Sequence, residues 1–176
     1  MKTIRRKVEV RKLHKSAMEG SESGVQLCFL LQDWEDAYNV GGLFRVADAC
    51  GADELIMTGR TPYPPHPQIG VTSLGQHRRL PWRYFESHEE AANQLIEEGW
   101  TLVAVEIATE AENYRTFDYP AKTCLVLGNE GKGIYGTVMK KCAASVFIPM
   151  AGKGRSLNVH VSAAIIAFEA RLRVKD

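Results

Sequence analysis

The stretch Ile148-Pro149-Met150-Ala151-Gly152-Lys153-Gly154-Arg155-Ser156-Leu157-Asn158-Val159 links a short strand to a long apolar helix. A proline closes the strand expected over Ser145–Ile148, because proline cannot donate to a sheet. The glycines that follow leave the backbone free to wrap a ligand, and Lys153 and Arg155 can reach phosphates. Downstream, Leu157, Val161, Ala164, Ile165, Phe168 and Leu172 recur at the helical period as one apolar stripe, with Ser156 as the expected N-cap. Two readings stay open at this point. Ser156 and Asn158 bind a ligand, or Ser156 only caps the helix and Asn158 only supports its first turn.

Upstream, strands and helices alternate. Val25–Leu31 (VQLCFLL) is a continuous apolar run, the pattern of a strand buried on both faces. Asn39 can cap a helix running to Cys50, which Gly51 ends. Glu54–Thr58 reads as a strand, and Gly59–Pro67, with four prolines, as a loop. Trp82–Phe85 reads as a short strand and Glu89–Glu98 as a helix closed by Gly99. Thr101–Ile107 and Thr123–Leu127 are strands, with Tyr135–Cys142 helical between the latter and the final strand. This order predicts one α/β domain with a mainly parallel sheet over residues 21–176, preceded by a basic arm or short helix over residues 1–20.

Composition narrows the function classes. At 176 residues the chain can bury a real core in one domain, and 45% hydrophobic against 24% charged residues is a globular balance. No apolar run approaches the roughly 18 residues of a membrane span, and no secretory leader is evident, so a cytoplasmic protein is expected. Cys28, Cys50, Cys124 and Cys142 form no C-x-x-C pair, and Cys28 and Cys124 lie in apolar runs. They read as buried hydrophobes, with no metal site expected. The net charge of +1 is unevenly spread: of 22 Lys and Arg, seven lie in residues 1–15 against Glu9 alone, while the remaining 15 face 20 acidic residues. A basic arm on an acidic body suits a polyanion partner, and equally suits a solvated terminus.

Two further segments concentrate chemistry after strands, where open parallel sheets bind ligands. Asn39-Val40-Gly41-Gly42-Leu43-Phe44-Arg45 opens the first helix; its glycines either admit a ligand to the backbone or serve close helix packing. Arg45 is either a phosphate clamp or a surface ion-pair partner. Leu127-Gly128-Asn129-Glu130-Gly131-Lys132-Gly133-Ile134 follows a buried strand and can line a pocket, or form a plain turn with a solvated Glu130. Neither the P-loop spacing nor the dinucleotide fingerprint G-x-G-x-x-G is present, which argues against a nucleotide-binding oxidoreductase or flavodoxin-like protein.

Taken in order, Asn39…Arg45, L-G-N-E-G-x-G and I-P-M…S-L-N-V resemble the three motifs of the SpoU/TrmH branch of the SPOUT RNA methyltransferases, over about residues 25–172. The resemblance implies a deep C-terminal trefoil knot near residues 104–108, 128–133 and 148–157, against the general rule of unknotted chains. It implies a homodimer whose site draws on both subunits, and S-adenosyl-L-methionine held bent by Glu106, Gly128, Ile148, Met150, Ser156 and Leu157. The implied reaction is methyl transfer to a ribose 2′-hydroxyl of RNA. Arg45 would clamp phosphate and stabilise the oxyanion, Asn39 and Asn158 would position the loop or substrate, and Glu130 would act near the sulfonium. His160, in the string S-L-N-V-H-V-S, resembles tRNA enzymes acting on a D-loop guanosine. tRNA is therefore favoured over rRNA, and a non-catalytic RNA-binding protein retaining the fold is the other alternative.

For RNA contact the sequence offers Arg5 and Arg6 of the arm, Arg78, Arg79 and Arg83 beside Trp82 and Tyr84, and Lys153 with Arg155. Arginines among aromatics suit phosphate contact and base stacking. The plainer reading makes Trp82 and Tyr84 half-buried strand residues.

Overall fold

The computed structural model describes residues 3, 6–19 and 24–172, so Arg5 lies outside the described residues. Helix α1 (Lys7–Met18) precedes strand β1 (Gln26–Gln32), helix α2 (Ala37–Cys50), strand β2 (Glu54–Thr58) and helix α3 (Pro67–Ser73). Strand β3 (Trp82–Phe85), helix α4 (His88–Glu97), strand β4 (Thr101–Val105) and the two-residue strand β5 (Glu112–Asn113) follow. Strand β6 (Lys122–Leu127), the single turn α5 (Gly136–Met139), strand β7 (Ala144–Phe147) and helix α6 (Val159–Leu172) complete the order.

The seven strands form one sheet in the order β3-β2-β1-β6-β4-β7-β5, and every pairing in it is parallel. The apolar runs are explained by burial on both faces. Leu27, Phe29 and Leu31 of β1 join Val40, Leu43 and Phe44 of α2 and Ile166 of α6 in one cluster. Cys28 and Leu30 point the other way, to Ala91, Ala92 and Leu95 of α4. Each fully buried Leu or Phe contributes roughly 1.5–3 kcal/mol, so these runs dominate the choice of fold.

Several sequence expectations need correction. Helix α2 starts at Ala37, because the Asp36 carboxylate accepts the Tyr38 N–H at 2.8 Å and caps it. Asn39 is therefore inside the helix, while Gly51 ends it in the left-handed conformation as expected. Helix α6 begins at Val159, not after Ser156: the Asn158 carbonyl accepts from Val161 and Ser162, and its side chain accepts from His160 N–H. The buried face of α6 is Ala163, Ile166, Ala167 and Ala170. The predicted stripe lies off that face, with Val161 and Phe168 each 39% exposed. The helix is apolar over much of its surface, and Ala163, Ala167 and Ala170 pack closely around Ile166, leaving Val161 and Phe168 outside. The proline-rich loop runs into α3, and Gly41 allows the contact between α2 and α3: a Cβ there would collide with Thr72 Oγ1.

All four cysteines are free, and burial pushes the Cys50 thiol up to about 11. Among the described residues no helix is long and apolar enough to cross a membrane, and no His/Cys/Asp/Glu group is arranged to hold a metal.

Candidate functional site

A cavity of about 620 Å³ opens at the carboxyl ends of β4, β6 and β7. Its walls are the three segments expected to converge, at residues 105–107, 127–133 and 146–159. Glu106, Gly128, Ile148, Met150, Ser156 and Leu157 all line it, as do Glu130, Arg155 and Asn158. Val105, Leu127 and Val146 add apolar surface, giving the mixed lining typical of small-molecule sites.

The loop after β6 is built by Asn129. Its side-chain amide donates to the Asp33 carbonyl at 2.6 Å, while its Oδ1 accepts the Gly131 and Lys132 N–H groups at 2.9 and 3.0 Å. Asn129 and Gly133 also exchange backbone hydrogen bonds, closing the loop on itself. Glu106 braces the far side, with Oε2 accepting the Ile134 N–H at 3.3 Å and Oε1 accepting the Ile107 N–H at 3.0 Å. Its carboxylate is thus spent largely on backbone.

Beneath the loop lies a polar cluster with no local sequence signature. Asp33 sits at φ 49 after β1 and accepts from Arg60 N–H at 2.7 Å and from the Tyr135 hydroxyl at 2.6 Å. His88 Nε2 is 3.6 Å from Asp33, and its ring stacks on Tyr135 with centroids 4.8 Å apart. Burial raises the Asp33 pKa, but the Arg60 and Tyr135 hydrogen bonds and the nearby His88 and Arg60 charges outweigh it, leaving the group below its ordinary 3.8. A depressed carboxylate stabilises the fold above its unfolded pKa, and that stability is lost as pH falls through the folded value. The difference in melting temperature between the parent and Asp33→Asn should therefore be full at pH 7 and shrink as the pH falls through and below the ordinary carboxylate range. A difference constant across that range would remove Asp33 as a titrating brace.

Asn39, buried within α2, joins the cavity wall to α6. Its Nδ2 donates to Glu130 Oε1 at 3.2 Å, and its Oδ1 accepts from Asn158 Nδ2 at 3.1 Å. His160 Nδ1 lies 3.1 Å from the same oxygen. A carbonyl oxygen only accepts, so His160 carries its proton on Nδ1 there. Burial, partly opposed by Asp36, holds the His160 pKa below its ordinary value. Gly42 makes room for this ring, since a Cβ would meet His160 Cδ2 at 3.1 Å. Both α2 glycines therefore serve packing, the plainer of the two sequence readings.

The remaining predicted residues separate. Arg45 is exposed, has no hydrogen-bond or ion-pair partner among the described residues, and does not line the cavity of its own chain. Arg83 is committed to carboxylates: it donates to Glu54 at 2.7 and 2.9 Å and to Glu98 at 2.6 and 2.8 Å. Strand alternation also turns it to the face opposite Trp82 and Tyr84. Arg79 lies 3.7 Å from Asp48, while Arg78, Lys153 and Arg6 are exposed.

Residues 26–168 match the sequence profile of the SpoU rRNA Methylase family. The chain belongs to that family. A Bacillus subtilis relative, YacO, whose name places it in the TrmH family, is 31% identical over 161 residues, covering 92% of this chain and 64% of its own. The SpoU methyltransferase AviRb from Streptomyces viridochromogenes, solved in complex with AdoMet, is similar in structure with a TM-score of 0.76 at 29% identity, over 82% of this chain and 56% of that one. The A. aeolicus TrmH/SpoU tRNA modifying enzyme aligns with a TM-score of 0.74 at 26% identity, over 92% and 82% of the two chains. The SpoU-family chain thus spans less than two thirds of the YacO and AviRb lengths.

Proposed function

We propose that this chain transfers a methyl group from S-adenosyl-L-methionine to a ribose 2′-hydroxyl of RNA. The substrate we favour is tRNA, with a D-loop guanosine the first nucleotide to examine. The observation that carries the reading is that all six residues assigned to the donor line one cavity, together with Glu130 and Asn158. The cavity also fits that donor chemically. Its volume lies in the range of cofactor sites, its apolar walls can flank an adenine, and Glu130 can face a sulfonium. At Gly128 the backbone of Gly133 comes so close that only glycine fits, leaving the loop amides to line the wall.

When bound, the donor supplies a methyl carbon on a sulfonium, a leaving group that needs little help. The residues of the chain then have to orient a hydroxyl and manage its proton. Asn39 fixes Glu130 and Asn158 relative to each other. Arg45 clamps phosphate and stabilises the developing oxyanion; a guanidinium is too basic to be an ordinary proton acceptor. Orientation of this kind is worth several kcal/mol of the barrier.

Arg45 does not line its own cavity, and α6 exposes Val161 and Phe168 while α2 exposes Tyr38. These observations support a homodimer in which Arg45 serves the cavity of the other subunit. The convergence of residues 105–107, 127–133 and 146–159 supports the trefoil knot. Residues 1–20 act as an RNA-binding arm on a catalytic domain of residues 21–176: α1 buries none of its side chains. Arg78, Arg79, Lys153 and Arg155 extend the cationic surface.

The deciding experiment is incubation with labelled donor and separated tRNA and rRNA pools, followed by mapping of alkali-resistant linkages. Label in alkali-labile positions would reject ribose methylation in favour of a base. For the arm, Arg5→Ala/Arg6→Ala should weaken RNA binding and reduce the slope of log affinity against log salt by about 1.5. An unchanged slope would exclude the arm as a phosphate contact.

A further inference from the structure

We infer that Tyr63, Trp82 and Tyr84 form a stacking platform for an unpaired base of an RNA, on the β3 edge of the sheet and away from the donor cavity. The inference rests on the RNA reading above but concerns a site that catalysis does not use.

β3 is the terminal strand, paired only with β2. Alternation sorts its side chains. Arg83 and Phe85 turn to the α4 side, where the Arg83 guanidinium lies 5.7 Å from the Phe85 ring and pairs with Glu54 and Glu98. Trp82 and Tyr84 turn to the other side, where Tyr63 from the proline-rich loop reaches both. The Tyr63 ring lies 4.4 Å from Tyr84 with 35° between planes, and 6.1 Å from Trp82 with 33°. Tyr63 is 44% exposed and Tyr84 37%.

Scattered exposed aromatics need no explanation, but three contiguous rings partly open to solvent do. The Tyr84 hydroxyl donates to the Gly59 carbonyl at 2.7 Å, so the ring is held in place before any ligand arrives. Rigid, partly exposed rings held in this way match an unpaired base that stacks on them. A peptide partner would instead call for an apolar groove, and these rings line neither the donor cavity nor the polar groove along α4. Stacking tolerates any base, so this site would hold single-stranded RNA without reading its sequence.

The test uses the full chain and a 12-nucleotide oligoadenylate, with a blunt RNA duplex of equal length as comparison. Trp34 and Trp100 are buried, so a change in tryptophan emission on binding reports Trp82. The single strand should quench that emission and the duplex should not. Tyr63→Ala and Tyr84→Ala should each weaken single-strand binding on the order of tenfold, while Tyr63→Phe keeps it. S-adenosylhomocysteine binding, measured in parallel, should be equal in all variants and so report an intact fold. Undiminished single-strand binding by Tyr63→Ala, or equal quenching by the duplex, would overturn the platform while leaving methyl transfer standing. Failure of the parent to bind any RNA would overturn the RNA reading itself.

Discussion

Gly128→Ala is expected to abolish measurable binding of S-adenosylhomocysteine while leaving the melting curve close to that of the parent. A Cβ at this position would fall onto the carbonyl carbon and oxygen of Gly133 and the amide nitrogen of Ile134. All three are backbone atoms, so no rotamer change relieves the overlap. The loop could accommodate the methyl only by opening, which breaks the paired Asn129–Gly133 hydrogen bonds at 3.0 and 2.9 Å. Asn129 would then lose its hold on the Gly131 and Lys132 amides. A lining wall displaced by more than an ångström should cost about 100-fold or more in affinity, roughly 3 kcal/mol. The apolar clusters on either face of the sheet lie below this loop, and the fold should persist. Gly131→Ala is the matched control, because a Cβ there meets only Asn129 Oδ1 at an ordinary 3.6 Å. Calorimetric titration of both variants decides the matter. Parent-like binding by Gly128→Ala would detach this loop from the donor site.

That contrast also marks what the sequence could and could not reveal. β1 and β6 were legible because strands buried on both faces need apolar residues along their length, as in Leu27–Leu31 and Cys124–Leu127. The cavity was legible only through the three motifs, since its walls are joined by the fold and not by any local period. Boundaries failed where one polar side chain substitutes for another as a cap. Asp36 took the place expected for Asn39, and Asn158 that expected for Ser156. β5 has two residues, too few for any alternation to register. The cluster of Asp33, His88 and Tyr135 was invisible for a deeper reason. Asp33 and Tyr135 stand 102 residues apart and meet only because β1 and β6 are neighbours. Arg83 adjoins Trp82 and Tyr84 in sequence, but strand alternation sets it on the opposite face, beside Glu54 and Glu98.

Arg45→Ala should reduce methyl transfer on the order of 100- to 1000-fold, the usual cost of deleting one charge-stabilising donor, with S-adenosylhomocysteine binding unchanged. The binding result follows from position: Arg45 is exposed on α2 and does not line the cavity of its own chain. The loss of rate then requires Arg45 to reach a cavity in a second subunit. Mixing two inactive variants separates that arrangement from every other. Arg45→Ala retains an intact donor loop, and Gly128→Ala retains an intact arginine. If Arg45 works across the interface, a mixed dimer has one site with both parts and one with neither. Random pairing of equal amounts should therefore restore about a quarter of parental activity. If Arg45 serves its own chain, each site of the mixed dimer lacks one part and nothing is restored. Full activity in Arg45→Ala alone would instead remove this residue from the chemistry. The exposed face of α6 supplies an independent check: if it forms the proposed interface, Phe168→Asp should place a charge there and shift the chain towards monomer in sedimentation. Monomer formation accompanied by loss of transfer, with donor binding retained, is the combination that a site shared between subunits demands.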